Sequence, residues 1–254
     1  MSLVGLEESI TRARAILRAG RYVIAFTGAG ISTPSGIPDF RSKGSGMWER
    51  YNPMETASLT TFRHDPSRFW DWKRPLMLTA WQAQPNPAHL ALAALEAKGI
   101  LKAVITQNID GLHQRAGSKT VLEVHGSIET MTCPRCKKPF ISQDFKSVLE
   151  QPGGIPHCPD DGAILKPDVV LFEEALPEVI WQRAQAHANA ADVLLVVGSS
   201  LEVYPAAYLP QMAVENGAKT IIANLSSTFL DSAAEVLLPA DVALSLPAIT
   251  ADLA

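Results

Sequence analysis

The chain has 254 residues, 47% hydrophobic and 19% charged, which is enough apolar side chain for one large domain or for a large and a small one. A formal net charge of −4, with no Lys/Arg block, argues against nonspecific nucleic-acid binding. Apolar runs such as 193–197 (VLLVV) are far too short to span a bilayer, and the first twenty residues carry Glu7, Glu8, Arg12, Arg14 and Arg18 rather than a signal-peptide core.

Leu6, Ile10, Ala13 and Leu17 recur at helical spacing, and Gly20 ends the pattern. Residues 22–26 (YVIAF) offer no polar face and read as a fully buried strand. From Ile31 to Gln84 the composition turns to Ser, Thr, Pro, Arg and Trp without a strand run, which predicts a loop followed by a short helical insertion. Asn86 and Pro87 form an N-cap and first helical residue, with Leu90 and Leu95 expected to face inward and Gly99 ending the helix. Residues 102–106 (KAVIT) and 121–124 (VLEV) are the next strands. Residues 128–162 shift to Cys, Pro, Lys and Gly. A strand over 168–172, a helix near 178–190, a strand over 193–197, a helix near 206–216 and a strand over 220–223 follow. Apolar strands alternating with helices predict an α/β fold with a mostly parallel sheet covered on both faces and two insertions. In such sheets ligands bind beyond the carboxyl ends of the strands.

Polar residues collect at those ends. The first strand runs into Thr27-Gly-Ala-Gly-Ile-Ser32, where glycines let the backbone turn tightly and approach a pyrophosphate. Gly36 comes too late for the usual dinucleotide fingerprint, so this turn alone reads equally as a plain connection. Asp39 and Arg41 flank Phe40 in the proline- and glycine-shaped loop that follows, a combination that a simple surface loop does not need and that tips the balance toward a ligand site, with a local ion pair as the alternative. Residues 104–113 (VITQNIDGLH) pass from strand into Gln107, Asn108 and Asp110, which either decorate a solvated turn or line a pocket. His125 closes 121–126 (VLEVHG). Alone it reads as a strand-end histidine bonded to backbone. Cys133-x-x-Cys136 followed about twenty residues later by Cys158 at the start of a second knuckle is a structural-zinc signal. Three cysteines in this arrangement fit a metal in a reducing compartment better than disulfides, so a cytoplasmic protein is expected.

Four motifs in order, TGAGISTPSGIPDFR, TQNIDGLHQRAG, LEVHGS and VVGSSLEVYPAA, resemble the sirtuins, the family of NAD-dependent protein deacylases, from about Gly20 to Asp241. The resemblance implies a Rossmann-like NAD-binding domain (1–31, 86–127 and 163–254), a cofactor loop and helical insertion (32–85) and a zinc-ribbon insertion (128–162). It implies that the acyl-lysine carbonyl oxygen attacks the ribose C1′ as nicotinamide leaves. His125 then serves as general base on a ribose hydroxyl, and the acyl group passes to ADP-ribose. A histidine suits that task because its ordinary pKa, roughly 6.5, lies near neutrality. By the same resemblance Asn108 orders the ribose, Gln107 contacts its hydroxyls, and Asp110 with the backbone of Ile109 holds the carboxamide. Gly28, Ala29, Gly30 and Ile31 cradle the phosphates. Asp39 belongs to the cofactor loop, Phe40 shields the reactive ribose face and Arg41 steadies the loop. Gly198, Ser199 and Ser200 bind phosphate and ribose, Asn224 reaches the adenosine ribose, and Asp241 with Val242 borders the adenine. His113 is read as structural.

The acyl-lysine protein or peptide is expected to pair its backbone with Val169, Val170, Leu171 and Phe172. Where the family usually has Phe-Gly-Glu, this chain has Phe172-Glu173-Glu174. The added carboxylate either favours basic flanking residues or points to solvent. No Tyr-x-x-Arg for an acidic acyl group appears in 69–75, although Lys73 and Arg74 are there, and uncharged acyl groups are expected. The metal ligands are Cys133, Cys136, Cys158 and, in place of the family's fourth cysteine, Asp161. An oxygen ligand predicts a weaker zinc site, with His157 as a competing ligand and an eroded, metal-free ribbon as the alternative. A mono-ADP-ribosyltransferase, a non-catalytic NAD-sensing module and a zinc-ribbon DNA binder are the other readings.

Overall fold

The computed structural model describes residues 3–41, 44 and 46–253. Residues 1, 2 and 254, at the outer limits of the expected nucleotide domain, lie outside the described residues, as do loop residues 42, 43 and 45. The elements in chain order are α1 (Leu3–Ala19), β1 (Val23–Thr27), α2 (Pro53–Thr56), α3 (Leu59–His64), α4 (Pro66–Gln82), α5 (Pro87–Ala97), β2 (Leu101–Thr106), α6 (Leu112–Arg115), β3 (Val121–Glu123) and β4 (Gly126–Thr132). Then come β5 (Pro139–Ile141), α7 (Lys146–Leu149), β6 (Lys166–Val169), α8 (Glu178–Ala190), β7 (Val193–Val197), α9 (Tyr208–Glu215), β8 (Lys219–Ala223), β9 (Val236–Leu238) and α10 (Val242–Thr250).

Six strands form one parallel sheet in the order β3-β2-β1-β7-β8-β9. Successive side chains of β1 and β7 go to opposite faces. Val23, Ala25, Val193, Leu195 and Val197 pack with Ala13 and Leu17 of α1 and Leu92 and Leu95 of α5. Ile24, Phe26, Leu194 and Val196 pack with Ala184, Ala188, Leu209 and Ala213 of α8 and α9. Both faces being covered, neither strand can afford a polar side. The chain leaves β1 toward β2 and β3 and later returns on β1's other flank as β7, so β1/β7 is the topological switch point. In open parallel sheets this is where ligand crevices form.

Leu90 is a correction: it is 52% exposed, while Ala88, Ala91, Leu92 and Leu95 are buried. With the helix phased by its Asn86 cap, the inward stripe runs 88, 91/92, 95, and position 90 falls on the opposite side. The helical insertion is longer than expected, because α4 carries Pro75 within seventeen residues, and that proline hid the helix. The strand expected over 168–172 is observed as Lys166–Val169, and it does not join the parallel series. It pairs antiparallel with β4 in a separate three-stranded sheet, β5-β4-β6. The apolar run read as a Rossmann strand instead packs with the helical and zinc-ribbon insertions, which share one core as a small domain: Val169 and Leu171 sit with Phe62, Phe69, Trp70, Met77, Met131 and Cys133.

Lys73 of α4 is 3% exposed, over the Trp72 ring at 5.7 Å, with no hydrogen bond to a described residue. Burial, aided by the charge of Lys166, lowers its pKa to about 7. Between pH 7 and 10.5 the unfolded chain holds a proton that the folded chain has shed, so this group makes stability rise with pH across that window. Lys73→Met is expected to flatten that rise and to stabilise the fold at pH 7 by a few kcal/mol, on the order given by the shift. Urea denaturation at pH 7 and pH 9 checks this; equal pH slopes in parent and variant would contradict it.

Candidate functional site

The turn after β1 packs directly against the turn after β7. Gly28 N donates to Val197 O at 3.2 Å and Gly30 N to Gly198 O at 2.8 Å. A Cβ on Gly30 would lie 2.8 Å from Gly198 Cα and O, and one on Gly198, whose φ is +59°, would lie 2.2 Å from Ile31 N. Two backbones meet here with no room for a side chain between them, which is why this pair is glycine. The N–H groups of a short 3-10 turn, Ala29–Ile31, follow. Ser199 Oγ accepts from Gln107 Nε2 at 3.0 Å, joining β7 to the end of β2 across β1.

Ser32 is the hinge of the polar cluster. Its Oγ donates to Asp110 Oδ2 at 2.7 Å and accepts from Asn108 Nδ2 at 3.1 Å. Asn108 and Asp110 are both buried, so these bonds set their orientation. Asp110 Oδ1 accepts from Leu112 N at 2.9 Å, turning the chain into α6. Burial raises the Asp110 carboxyl above the ordinary carboxylate range, against the opposing bonds from Leu112 and Ser32. Ser32 lay inside a quoted motif and carried no expected role. Only the fold brings it within bonding distance of residues 76 and 78 positions away.

His125 Nδ1 is 3.1 Å from Gln107 O. A carbonyl only accepts, so Nδ1 carries the proton and Nε2 presents a lone pair. Burial is the main cause that lowers the His125 pKa, the Gln107 bond opposing it and Arg41 adding to it, so the ring is neutral at pH 7. Gly126, at φ +76°, has Asp168 O where a Cβ would stand, so only glycine lets β6 approach here. His125 O in turn accepts from Val170 N at 2.8 Å, binding the histidine's own backbone to the segment 169–172.

The cofactor loop folds back on itself, with Met47 N donating to Asp39 O and Trp48 N to Phe40 O. The Phe40 ring meets Trp48 at 5.0 Å, and Trp48 stacks on Trp72 at 5.9 Å and meets Phe172 edge-on at 6.2 Å. Arg41 Nε pairs with Glu202 Oε2 at 3.2 Å, a residue with no expected role, which ties the loop to the β7 turn. Asp39 accepts from Arg41 N rather than pairing with its guanidinium. A cavity of about 400 Å³ lined by Thr33, Gly36, Ile37, Pro38 and Asp39 opens beside this loop. Asn224 follows β8 and bonds Ser226 through its side chain, and Asp241 caps α10 just before buried Val242. They stand two and three strands from β1, roughly 10 and 14 Å along the same edge at the usual strand spacing.

His113 and His89 are buried behind the cluster. His113 Nε2 bonds Thr27 Oγ1 at 2.9 Å, His89 caps α5, and their rings are 4.9 Å apart. Burial lowers their pKa values to about 3 and about 4, which makes both neutral packing elements at pH 7.

In the small domain the ligand atoms of Cys133, Cys136, Cys158 and Asp161 all lie within 4.8 Å of one another. Cys136 and Cys158 sulfurs are 3.7 Å apart, and Cys133 Sγ is 3.4 Å from Asp161 Oδ2. A tetrahedral Zn²⁺ with Zn–S about 2.3 Å and Zn–O about 2.0 Å has edges of roughly 3.8 and 3.5 Å, so donors and spacing both fit. Ala163 N occupies Asp161 Oδ1 at 2.9 Å, which leaves Oδ2 as the metal-facing oxygen. His157 lies outside this group, its Nδ1 bonded to Ile155 O.

Comparison with known proteins agrees with this geometry. The model of the Sir2 family matches residues 28–205. An NAD-dependent protein deacetylase of Saccharolobus solfataricus is 47% identical over 92% of both chains, and one of Caldivirga maquilingensis is 49% identical over 89% of this chain and 87% of that protein. A solved structure of a Sir2 enzyme is 44% identical with a TM-score of 0.90, covering 97% of this chain and 98% of its own. A Sir2–p53 peptide–NAD+ complex is 38% identical with a TM-score of 0.86, covering 96% and 98%. A family model spanning more than half of the residues, near-half identity over nine-tenths of the chain and a shared fold place this protein in one lineage: it belongs to the Sir2 family.

Proposed function

We propose that this protein is an NAD-dependent protein-lysine deacylase, with acyl-lysine peptides as its substrates and nicotinamide, deacylated lysine and acylated ADP-ribose as its products. The observation that carries the reading is a neutral His125 whose Nε2 presents the lone pair, held at the same sheet edge as the Ser32–Asn108–Asp110 cluster and the paired glycine turns. NAD supplies an activated glycosidic bond whose cleavage needs orientation and electrostatic support more than a protein nucleophile. In this reading the Gly28–Ile31 and Gly198–Ser200 turns hold the phosphates, Asn108 and Gln107 orient the ribose, and Asp110 holds the carboxamide. His125 Nε2 receives the hydroxyl proton. Val169–Phe172 docks the peptide. Relatives described as deacylases and a Sir2Tm structure with a propionylated peptide support the substrate class. Acetyl and other uncharged acyl groups are assigned as preferred. Among the described residues no helix is long and apolar enough to cross a membrane. Cys133, Cys136 and Cys158 are not in disulfides, and we assign the protein to the cytoplasm.

Mass spectrometry after mixing the protein with NAD and an acetyl-lysine peptide tests this. Free nicotinamide, deacetylated peptide and acetyl-ADP-ribose are expected. ADP-ribosylated protein without deacetylation would indicate a mono-ADP-ribosyltransferase, and intact NAD an NAD-sensing module. Asp110→Asn is expected to weaken inhibition by nicotinamide severalfold, since a carboxylate accepts from a carboxamide N–H and an amide nitrogen does not. Unchanged inhibition with a lowered melting temperature would assign Asp110 to capping α6 alone.

A further inference from the structure

Glu173 stands where the left-handed region of backbone space is occupied, at φ +77°. That conformation is unfavourable for any residue with a Cβ, so a glutamate there needs a compensating contact. The contact is its own carboxylate: Glu173 Oε2 accepts from Thr60 N at 2.8 Å. Thr60 lies in the first turn of α3, whose N–H groups have no partners inside the helix. All three of the first-turn donors are accounted for. Leu59 N donates to Phe172 O at 3.1 Å, Thr60 N to Glu173, and Thr61 N to Ser58 Oγ at 3.0 Å. One of the three acceptors, Phe172 O, comes from the segment expected to dock the peptide, and a second from Glu173, the residue that follows it. Phe172 N closes the same junction on Ala57 O at 3.0 Å.

A six-residue helix is too short to persist without such support. Through α3 the junction reaches α4, where Phe62 meets Phe69 edge-on, and so the aromatic wall of Trp72 and Trp48 that returns to Phe172. The docking segment is thereby tied down along its length. Val170 N is held by His125 O, Leu171 N by Glu174 Oε2, Val169 O by Lys166 Nζ, and Leu171 O by Glu174 N. Among the described residues Val170 O has no donor, which leaves it facing the demand of an incoming peptide N–H. Building this segment before substrate arrives removes an ordering cost from peptide binding.

We propose that Glu173 is a positioning residue for the peptide substrate: it clasps the helical insertion to the docking strand, so that the cleft is formed in the free enzyme. The proposal rests on the deacylase reading above. It gives the added carboxylate of the exposed Glu173 a partner within the chain, the Thr60 amide.

Glu173→Gly and Glu173→Gln distinguish this from a purely structural cap. Glycine relieves the backbone but loses the acceptor, whereas glutamine keeps an acceptor oxygen. In Glu173→Gly the Michaelis constant for an acetyl-lysine peptide should rise about fivefold, the factor expected for one lost capping bond, with kcat and the NAD constant within about twofold. The Thr60 amide should lose hydrogen-exchange protection in the same variant. Glu173→Gln should retain both. An unchanged peptide constant in Glu173→Gly beside an exposed Thr60 amide would overturn the proposal and leave only a helix cap. A protected Thr60 amide in Glu173→Gly would overturn the clasp itself. A parent enzyme that neither binds a fluorescent acetyl-lysine peptide nor deacetylates it would remove the deacylase reading and this proposal with it. A parent that deacetylates alongside an indifferent Glu173→Gly removes the proposal alone.

Discussion

His125→Ala is expected to lose deacylation by about 10²–10⁴-fold, the usual contribution of a positioned general base, while NAD still binds. The backbone around position 125 is held by Val170 N and by Gly126 against Asp168, so shortening the side chain leaves the strand end in place. Among the described residues of the cluster no substitute base is at hand. His113 and His89 are buried with pKa values pushed down to about 3 and about 4, and each is engaged in packing or capping. Asp110 has both oxygens in hydrogen bonds. The pH profile offers a second readout. A base must be unprotonated, and burial lowers the His125 pKa, so activity should persist below pH 6.5 and fall only on further acidification. Single-turnover deacetylation of an acetyl-lysine peptide and NAD titration by calorimetry measure the two halves of the claim. Near-normal turnover in a variant with an unchanged melting temperature would falsify the assignment of the base.

The parent protein is expected to carry about one equivalent of zinc, and Asp161→Ala to lose it under mild chelation. Structural zinc contributes on the order of 10 kcal/mol to small domains that fold around it. Here the loss would fall on a core in which Cys133 and Cys158 pack with Met131, Leu149 and Leu165. The fourth donor decides how firmly the ion is held. Asp161 is preset by Ala163 N on Oδ1 and by Arg135 Nη1 on its backbone carbonyl at 2.8 Å, so the short side chain reaches the three sulfurs without rearrangement. Three thiolates and a carboxylate match four thiolates in charge, but oxygen is the harder ligand for a borderline-soft ion. Asp161→Cys should therefore hold zinc more tightly than the parent. Elemental analysis across a chelator series, with near-ultraviolet circular dichroism of the small domain, reads this directly. A metal-free parent with full activity and an intact ribbon would refute the ligand set while leaving the NAD chemistry untouched.

What the sequence by itself determined is what contiguous residues can carry. The all-apolar runs at 22–26 and 193–197 imply strands covered on both faces because any outward face would have shown polar residues. Gly28 and Gly30 announce a tight turn after a buried strand, and polar residues at strand ends announce a ligand edge. The Cys-x-x-Cys knuckle and its Cys-x-x-Asp counterpart were legible because metal ligation depends on spacing within a turn. Tertiary structure alone decided the rest. Pro75 masked the length of α4, since a helix held by packing tolerates what local propensity forbids. Leu90 turned outward because helix phase is set by the cap and not by hydrophobicity at one position. The segment 166–169 joined the antiparallel sheet, since an apolar strand does not encode its partner. Ser32, Glu202 and the Glu173 clasp were invisible for one common reason: each acts through a hydrogen bond or ion pair to a residue tens of positions or more away. Such bonds are a few ångströms long, and only the folded chain brings their ends within that reach.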